Sequence, residues 1–172
     1  MDKRIDSLAF ALENEQKEHD YYMAHANKTK NMAGKKMFEQ IAAEEKEHYE
    51  VLKKLRSTWE KQQKWPETVP LEVKKSLAGS ILKSMSDVKT AHITGDDDDL
   101  MAVRTAIEFE ARGVALYTKL ENESTDAKEK SFFKLIASVE RDHMLSLRDT
   151  EEFLTDPVSW YQNIEKPLLD GA

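Results

Sequence analysis

The residues best able to do chemistry are two Glu-x-x-His pairs, Glu45 with His48 and Glu140 with His143. The spacing of three residues places the carboxylate and the imidazole of each pair on one face of a helix. A lone pair of this kind is common on a charged helix surface, but each pair here follows another glutamate by thirty residues. The six residues form two equally spaced sets: Glu15, Glu45 and His48, then Glu110, Glu140 and His143.

The two sets belong to an internal repeat with an offset of 95 residues that needs no gap. Each copy contains a helix, a turn and a second helix, which predicts one helical hairpin present twice. Two such hairpins can face each other across a pseudo-twofold axis. The matching pairs are Ala11/Ala106, Glu13/Glu108, Glu15/Glu110, Tyr22/Tyr117, Phe38/Phe133, Ile41/Ile136, Ala42/Ala137, Glu45/Glu140, His48/His143 and Leu52/Leu147.

All six residues fall on the apolar stripe of their helix, in steps of three and four residues. A buried carboxylate without compensation costs on the order of several kcal/mol. Two divalent cations would balance four carboxylates, with Glu45 and Glu140 bridging them. Each ion would have one further glutamate and one histidine. This oxygen-rich set suits iron or manganese better than structural zinc or copper.

The elements that must position these residues are four long helices. Scarce glycine and proline, together with abundant Ala, Glu, Lys and Leu, favour an all-α fold. We predict a single-domain four-helix bundle of two hairpins, with Asp6 capping the first helix and Asp96–Asp99 at the N-terminus of the third. The predicted ranges are helices at about 7–30, 35–61, 96–122 and 127–154, hairpins 7–61 and 97–154, a connector 62–96 with a weaker helix at 71–91, and a tail 155–172 with a short helix around Trp160 and Tyr161, ending in an irregular stretch from Lys166.

The composition excludes several functional classes. The 172 residues contain no cysteine, which excludes disulfides, thiolate zinc sites and iron–sulfur clusters within them. A net charge of −7 argues against nucleic acid or an anionic membrane as a partner. No run approaches the roughly 18 apolar residues of a membrane span, and no signal peptide is evident. We therefore expect a cytoplasmic protein.

The motif Glu-x₆-Tyr followed by Glu-x-x-His, present twice, resembles the rubrerythrin branch of the ferritin-like family. The tail resembles stand-alone members through Asp156-Pro157, Trp160-Tyr161 and Asp170-Gly171. The resemblance implies a ferritin-like bundle, a diiron centre and a role with peroxide, O₂ or iron in oxidative stress. Typical members also have a four-cysteine rubredoxin domain and an extra ligand glutamate where this chain has Gly113.

Other polar residues near the six are candidates for supporting roles. Tyr22 and Tyr117 stand two turns along from Glu15 and Glu110, and we expect them to hydrogen-bond the ligands. Glu18 is the pseudo-symmetric counterpart of Gly113 and a candidate extra ligand, although its place at the edge of the stripe favours an exposed residue. The remaining candidates are His19, either beside the site or a satisfied core histidine, and Glu44, which could orient a histidine but is expected to be solvated.

Together with the ligand set, the resemblance implies a peroxidase-like diiron oxidoreductase that reduces hydrogen peroxide or O₂. Because the chain has no rubredoxin cysteines, the electrons would come from a separate donor protein such as a rubredoxin. An iron-binding or iron-buffering protein without turnover and a dimanganese catalase remain alternatives, and a purely structural bundle is the least favoured. We also expect a homodimer, in which the long connector would allow hairpins to be exchanged.

Overall fold

The computed structural model describes residues 3–65, 76–85 and 96–169, and this part of the chain contains helices and no strand. The predicted all-α class is confirmed. None of the described helices is both long enough and apolar enough to cross a membrane. The helices are α1 (Lys3–Lys28), α2 (Met32–Gln62), α3 (Ala78–Met85), α4 (Asp97–Glu123), α5 (Ala127–Thr155) and α6 (Pro157–Leu169).

The four long helices pair as two hairpins. Helix α1 packs most extensively against α2, and α4 packs most extensively against α5. Contacts between α1 and α4 and between α2 and α5 join the hairpins into a bundle. The short helix α3 lies against α2 and α5, and α6 packs on α5.

Side-chain caps begin three of the long helices. Asn31 accepts hydrogen bonds from backbone N–H groups two and three residues further on, and Asp126 does the same for α5. Asp96 caps α4 by accepting from the backbone N–H of Asp99. These caps satisfy N–H groups that have no partner inside a helix. The acidic run at the start of α4 is therefore a helix N-terminus, as interpreted from the sequence.

Two predicted boundaries are wrong. Helix α1 begins at Lys3, so Asp6 lies in its first turn and does not cap it. Helix α6 continues to Leu169, although an irregular tail was predicted from Lys166. Pro157 is the first residue of α6, a position that suits proline because its missing N–H would be unpaired there.

The connector is described only in part. Helix α3 falls within the helical stretch predicted at 71–91 but covers eight residues. Residues 76 and 77 are described and are not helical, and the remaining parts of the predicted stretch, 71–75 and 86–91, lie outside the described residues.

Two apolar clusters flank a polar layer in the bundle. In every long helix the ligand candidates lie between residues of the first cluster and residues of the second. The polar layer is thus shielded by packed side chains on both sides. The first cluster includes Tyr22, Phe38, Ile41, Val103, Ala106 and Leu147, and the second includes Leu8, Leu52, Tyr117, Phe133 and Ile136.

Candidate metal centre

The structure brings all six predicted ligands together in the polar layer, fully buried except for His48, which is 2% exposed. Their donor atoms form two groups, and within each group all atoms lie within 4.8 Å of one another. Both groups contain Glu45 and Glu140. We call the group completed by Glu15 and His48 the first position, and the group completed by Glu110 and His143 the second position.

Glu45 lies between the two histidines. Its Oε2 is 3.0 Å from Nδ1 of His48, and its Oε1 is 2.9 Å from Nδ1 of His143. Nδ1 of His48 is also 3.1 Å from Glu15 Oε2, and Nδ1 of His143 is 3.5 Å from Glu110 Oε2. One carboxylate therefore faces both positions, as a bridging ligand must.

The donor atoms fit a pair of metal ions. Glu110 Oε2 and both oxygens of Glu140 are buried without a hydrogen bond, and Glu45 Oε1 and Nδ1 of His143 have only their 2.9 Å approach to each other, which lacks hydrogen-bond geometry. Buried polar atoms are ordinarily satisfied, so a concentration of unsatisfied acceptors needs an explanation. Cations coordinated by these atoms would supply it, and carboxylate oxygens with imidazole nitrogens are donors that iron and manganese accept.

The ionisation of the ligands is strongly coupled. Burial and the Glu45 carboxylate raise the pKa of Glu15 to about 8, and burial and the same neighbour raise the pKa of Glu140 well above its usual value. Burial opposes the ionisation of Glu45, but His143 and His48 outweigh it and lower its pKa. Burial also disfavours protonation of the two histidines, but the surrounding carboxylates raise the pKa of both well above the usual value. A cation entering the centre must therefore displace protons.

Two buried tyrosines connect the hairpins through the ligands. The hydroxyl of Tyr22 on α1 donates to Glu110 on α4, and the hydroxyl of Tyr117 on α4 donates to Glu15 on α1. Each tyrosine thus leaves one oxygen of its glutamate free to face the centre. These are the contacts expected from the sequence, and they follow the pseudo-twofold relation.

Glu44 contacts the second position from outside. Its Oε2 accepts a 2.6 Å hydrogen bond from Nε2 of His143, and its Oε1 accepts from Gln40 and from the backbone N–H of Leu77. The expectation of a solvated Glu44 is wrong, because the start of α3 covers it and leaves 14% of its side chain exposed. By holding the outer nitrogen of His143, Glu44 directs the inner nitrogen toward the metal position.

The two remaining candidates have different outcomes. His19 is half-buried, and its Nδ1 donates to the carbonyl oxygen of Ala42 at 2.8 Å, so it is a satisfied histidine. Glu18 is 3% exposed, and the expectation of an exposed residue is wrong. Sequence reasoning gave no role to Gly113, yet a Cβ at that position would lie 2.9 Å from Oε2 of Glu140. The carboxylate of Glu140 therefore lies directly against Gly113, and a Cβ there would require it to shift.

Comparison with known proteins gives one result. The sequence model of the rubrerythrin family matches residues 6–151, which include both hairpins and all six ligand candidates. The comparisons with curated proteins and with solved structures give no match.

Proposed function

The chain belongs to the rubrerythrin family, with its ferritin-like fold, and from this premise we propose that it is a diiron protein that reduces hydrogen peroxide or O₂. Electrons would come from a separate donor protein, such as a rubredoxin. The observation that carries the proposal is the pair of overlapping Glu/His groups that share Glu45 and Glu140. Cytoplasmic location and homodimer formation accompany it as proposals.

The charges support a pair of divalent ions. Four ionised carboxylates carry four negative charges, which two divalent cations balance, and neutral imidazoles complete the set. Oxygen donors with two nitrogens favour iron or manganese over copper or a structural zinc ion. The reaction needs a metal that changes its oxidation state, which zinc does not, and iron is preferred to manganese because the rubrerythrin family typically binds a diiron centre.

The chain's own residues would bind, orient and shield. Glu45 and Glu140 would bridge the ions, and the remaining glutamates and histidines would each hold one. Tyr22 and Tyr117 fix the orientation of the terminal carboxylates, and Glu44 fixes that of His143. When bound, the two ferrous ions would supply the two electrons that convert one H₂O₂ and two protons into two waters.

The test uses the full chain loaded anaerobically with Fe²⁺. We expect two irons per chain in natively purified protein, and faster oxidation by H₂O₂ than by O₂ in stopped-flow absorbance measurements. Glu45→Gln should abolish the fast phase, whereas Glu50→Gln, an exposed residue on the same helix, should retain it. Zinc or no metal in the native protein, or oxidation by peroxide no faster than by O₂, would contradict the proposal.

A second candidate is an iron-binding or iron-buffering protein without turnover. The absence of cysteine favours it, because these 172 residues contain no rubredoxin-type iron site to deliver electrons. Reversible iron release, with no donor able to restore the ferrous state, would support this alternative. A native content of two manganese ions would instead support a catalase, which needs no donor.

A further inference from the structure

Glu18 is a fifth carboxylate in the buried layer. It is 3% exposed, and its Oε2 is buried without a hydrogen bond. Burial raises its pKa well above the usual value, and the carboxylates of Glu140 and Glu110 raise it further, ahead of those of Glu45 and Glu15. The side chain of Glu18 is therefore buried in the same layer as the carboxylates of the centre.

The pairing of α1 with α4 places Glu18 near the second position. The bonds from Tyr22 to Glu110 and from Tyr117 to Glu15 cross between the two helices, so the helices run antiparallel. Midway between these bonds, Glu18 comes level with Gly113. Gly113 has no Cβ, and the carboxylate of Glu140 lies directly against it, so Glu18 comes level with that carboxylate.

The remaining question is what compensates this carboxylate. A bare charge among four other carboxylates is costly, and the structure gives its Oε2 no donor. A cation at the second position would provide the compensation. In the structure the carboxylate lies outside both groups of atoms within 4.8 Å, so it must rotate to reach the ion.

We propose that Glu18 is a seventh protein ligand of the centre and that it binds the metal ion held by Glu110 and His143. This inference rests on the proposed metal-binding function. The second position then has two terminal carboxylates and the first position has one. The second position consequently binds a divalent cation more tightly and fills first.

The experiment titrates the metal-free full chain with Co²⁺ and follows the reaction by calorimetry and visible absorption. We expect two unequal binding steps in the unchanged protein. Glu18→Gln should weaken the tighter step by about tenfold or more and leave the other step in place. Glu13→Gln, an exposed residue on the same helix, should change neither step.

The melting temperature distinguishes a metal ligand from a residue with a merely structural role. Glu18→Gln should raise the melting temperature of the metal-free protein, because folding no longer has to bury and protonate a carboxyl group with a raised pKa, and it should reduce the increase that Co²⁺ produces. Should Glu18→Gln fail to fold, Glu18→Asp keeps the charge on a shorter side chain and should also weaken the tighter step.

Double-variant measurements identify the position. Glu18→Gln should be non-additive with Glu110→Gln, because both residues bind one ion, and nearly additive with Glu15→Gln. Two equal steps in the unchanged protein, or equal weakening or no weakening of both steps in Glu18→Gln, would overturn the inference. If the unchanged chain binds no metal, the proposed function fails with it; if two ions bind and Glu18→Gln is without effect, only the role of Glu18 is lost.

Discussion

The two metal positions are built from the same hairpin, yet their surroundings differ. The first position has His48, and the residue equivalent to Glu44 on the facing helix is Val139, a buried apolar side chain that cannot accept a hydrogen bond. The second position has His143 held by Glu44, and it is the position to which we assign Glu18. Both additional carboxylates come from the first hairpin. The duplication thus accounts for the common ligands, and departures from it make the positions unequal.

The largest loss of metal binding is expected from a substitution of Glu45, which faces both positions. Glu45→Gln removes a carboxylate that faces both histidines, so binding at both positions should weaken together by more than about 100-fold, since loss of an outer contact alone costs about 10- to 100-fold. Calorimetric titration with Co²⁺ measures this, with Glu50→Gln as the control. Loss of one step with the other intact would show that Glu45 does not bridge.

Removal of the Glu44 carboxylate should weaken metal binding at one position and not at the other. Glu44→Gln weakens the hydrogen bond that orients His143, so we expect the affinity of the second position to fall about 10- to 100-fold while the first is retained. Val139→Glu tests the converse by offering His48 an equivalent partner. A Glu44→Gln protein with two unchanged binding steps would remove this difference between the positions.

The pH dependence of stability tests a property that both positions share, the raised pKa values of their ligand residues. Glu15 binds a proton in the folded chain between its ordinary value of 4.5 and a pKa of about 8, and the raised pKa values of His48 and His143 act in the same direction. The folded chain therefore holds more protons than the unfolded chain, and stability of the metal-free protein should fall as pH rises. Each excess proton contributes about 1.4 kcal/mol per pH unit.

With metal bound, the trend should be opposite, because the ions have already displaced these protons and bind more tightly at higher pH. Urea unfolding at about pH 6 and about pH 8, with and without Co²⁺, measures both trends. A metal-free protein that becomes more stable over this range would contradict the raised pKa values.

The smallest effects should come from the tyrosines and should be alike. Tyr22→Phe and Tyr117→Phe each remove the hydroxyl that donates to a terminal glutamate. We expect each to lower the free energy of unfolding by about 1 to 3 kcal/mol, because a buried acceptor loses its donor. Metal affinity should fall at the second position for Tyr22→Phe and at the first for Tyr117→Phe. Unequal losses would show that the asymmetry extends to these contacts.

The residues that the two metal positions have in common could be predicted from the sequence, because the helical spacing and the 95-residue repeat both indicate them. Both predict the four glutamates and two histidines at one depth, together with the two tyrosines. The burial of Glu18 and Glu44 was not predicted. Glu18 lies at the edge of the apolar stripe, and Glu44 precedes a ligand by one residue and lies off the stripe. Glu44 accepts a hydrogen bond from the backbone N–H of Leu77, the residue before α3, and the docking of that segment leaves no local pattern in the sequence. The room at Gly113 depends on the position of Glu140 on another helix.

The pairing of Glu18 with Gly113 has a consequence for how such a chain can change. If one hairpin assembled with an identical copy, every substitution would appear on both sides of the axis. A glutamate at this level would then face its own counterpart on the antiparallel helix. Two copies within one polypeptide remove that constraint, because each copy can mutate alone. A glutamate facing a glycine is an arrangement open only to a duplicated and joined hairpin.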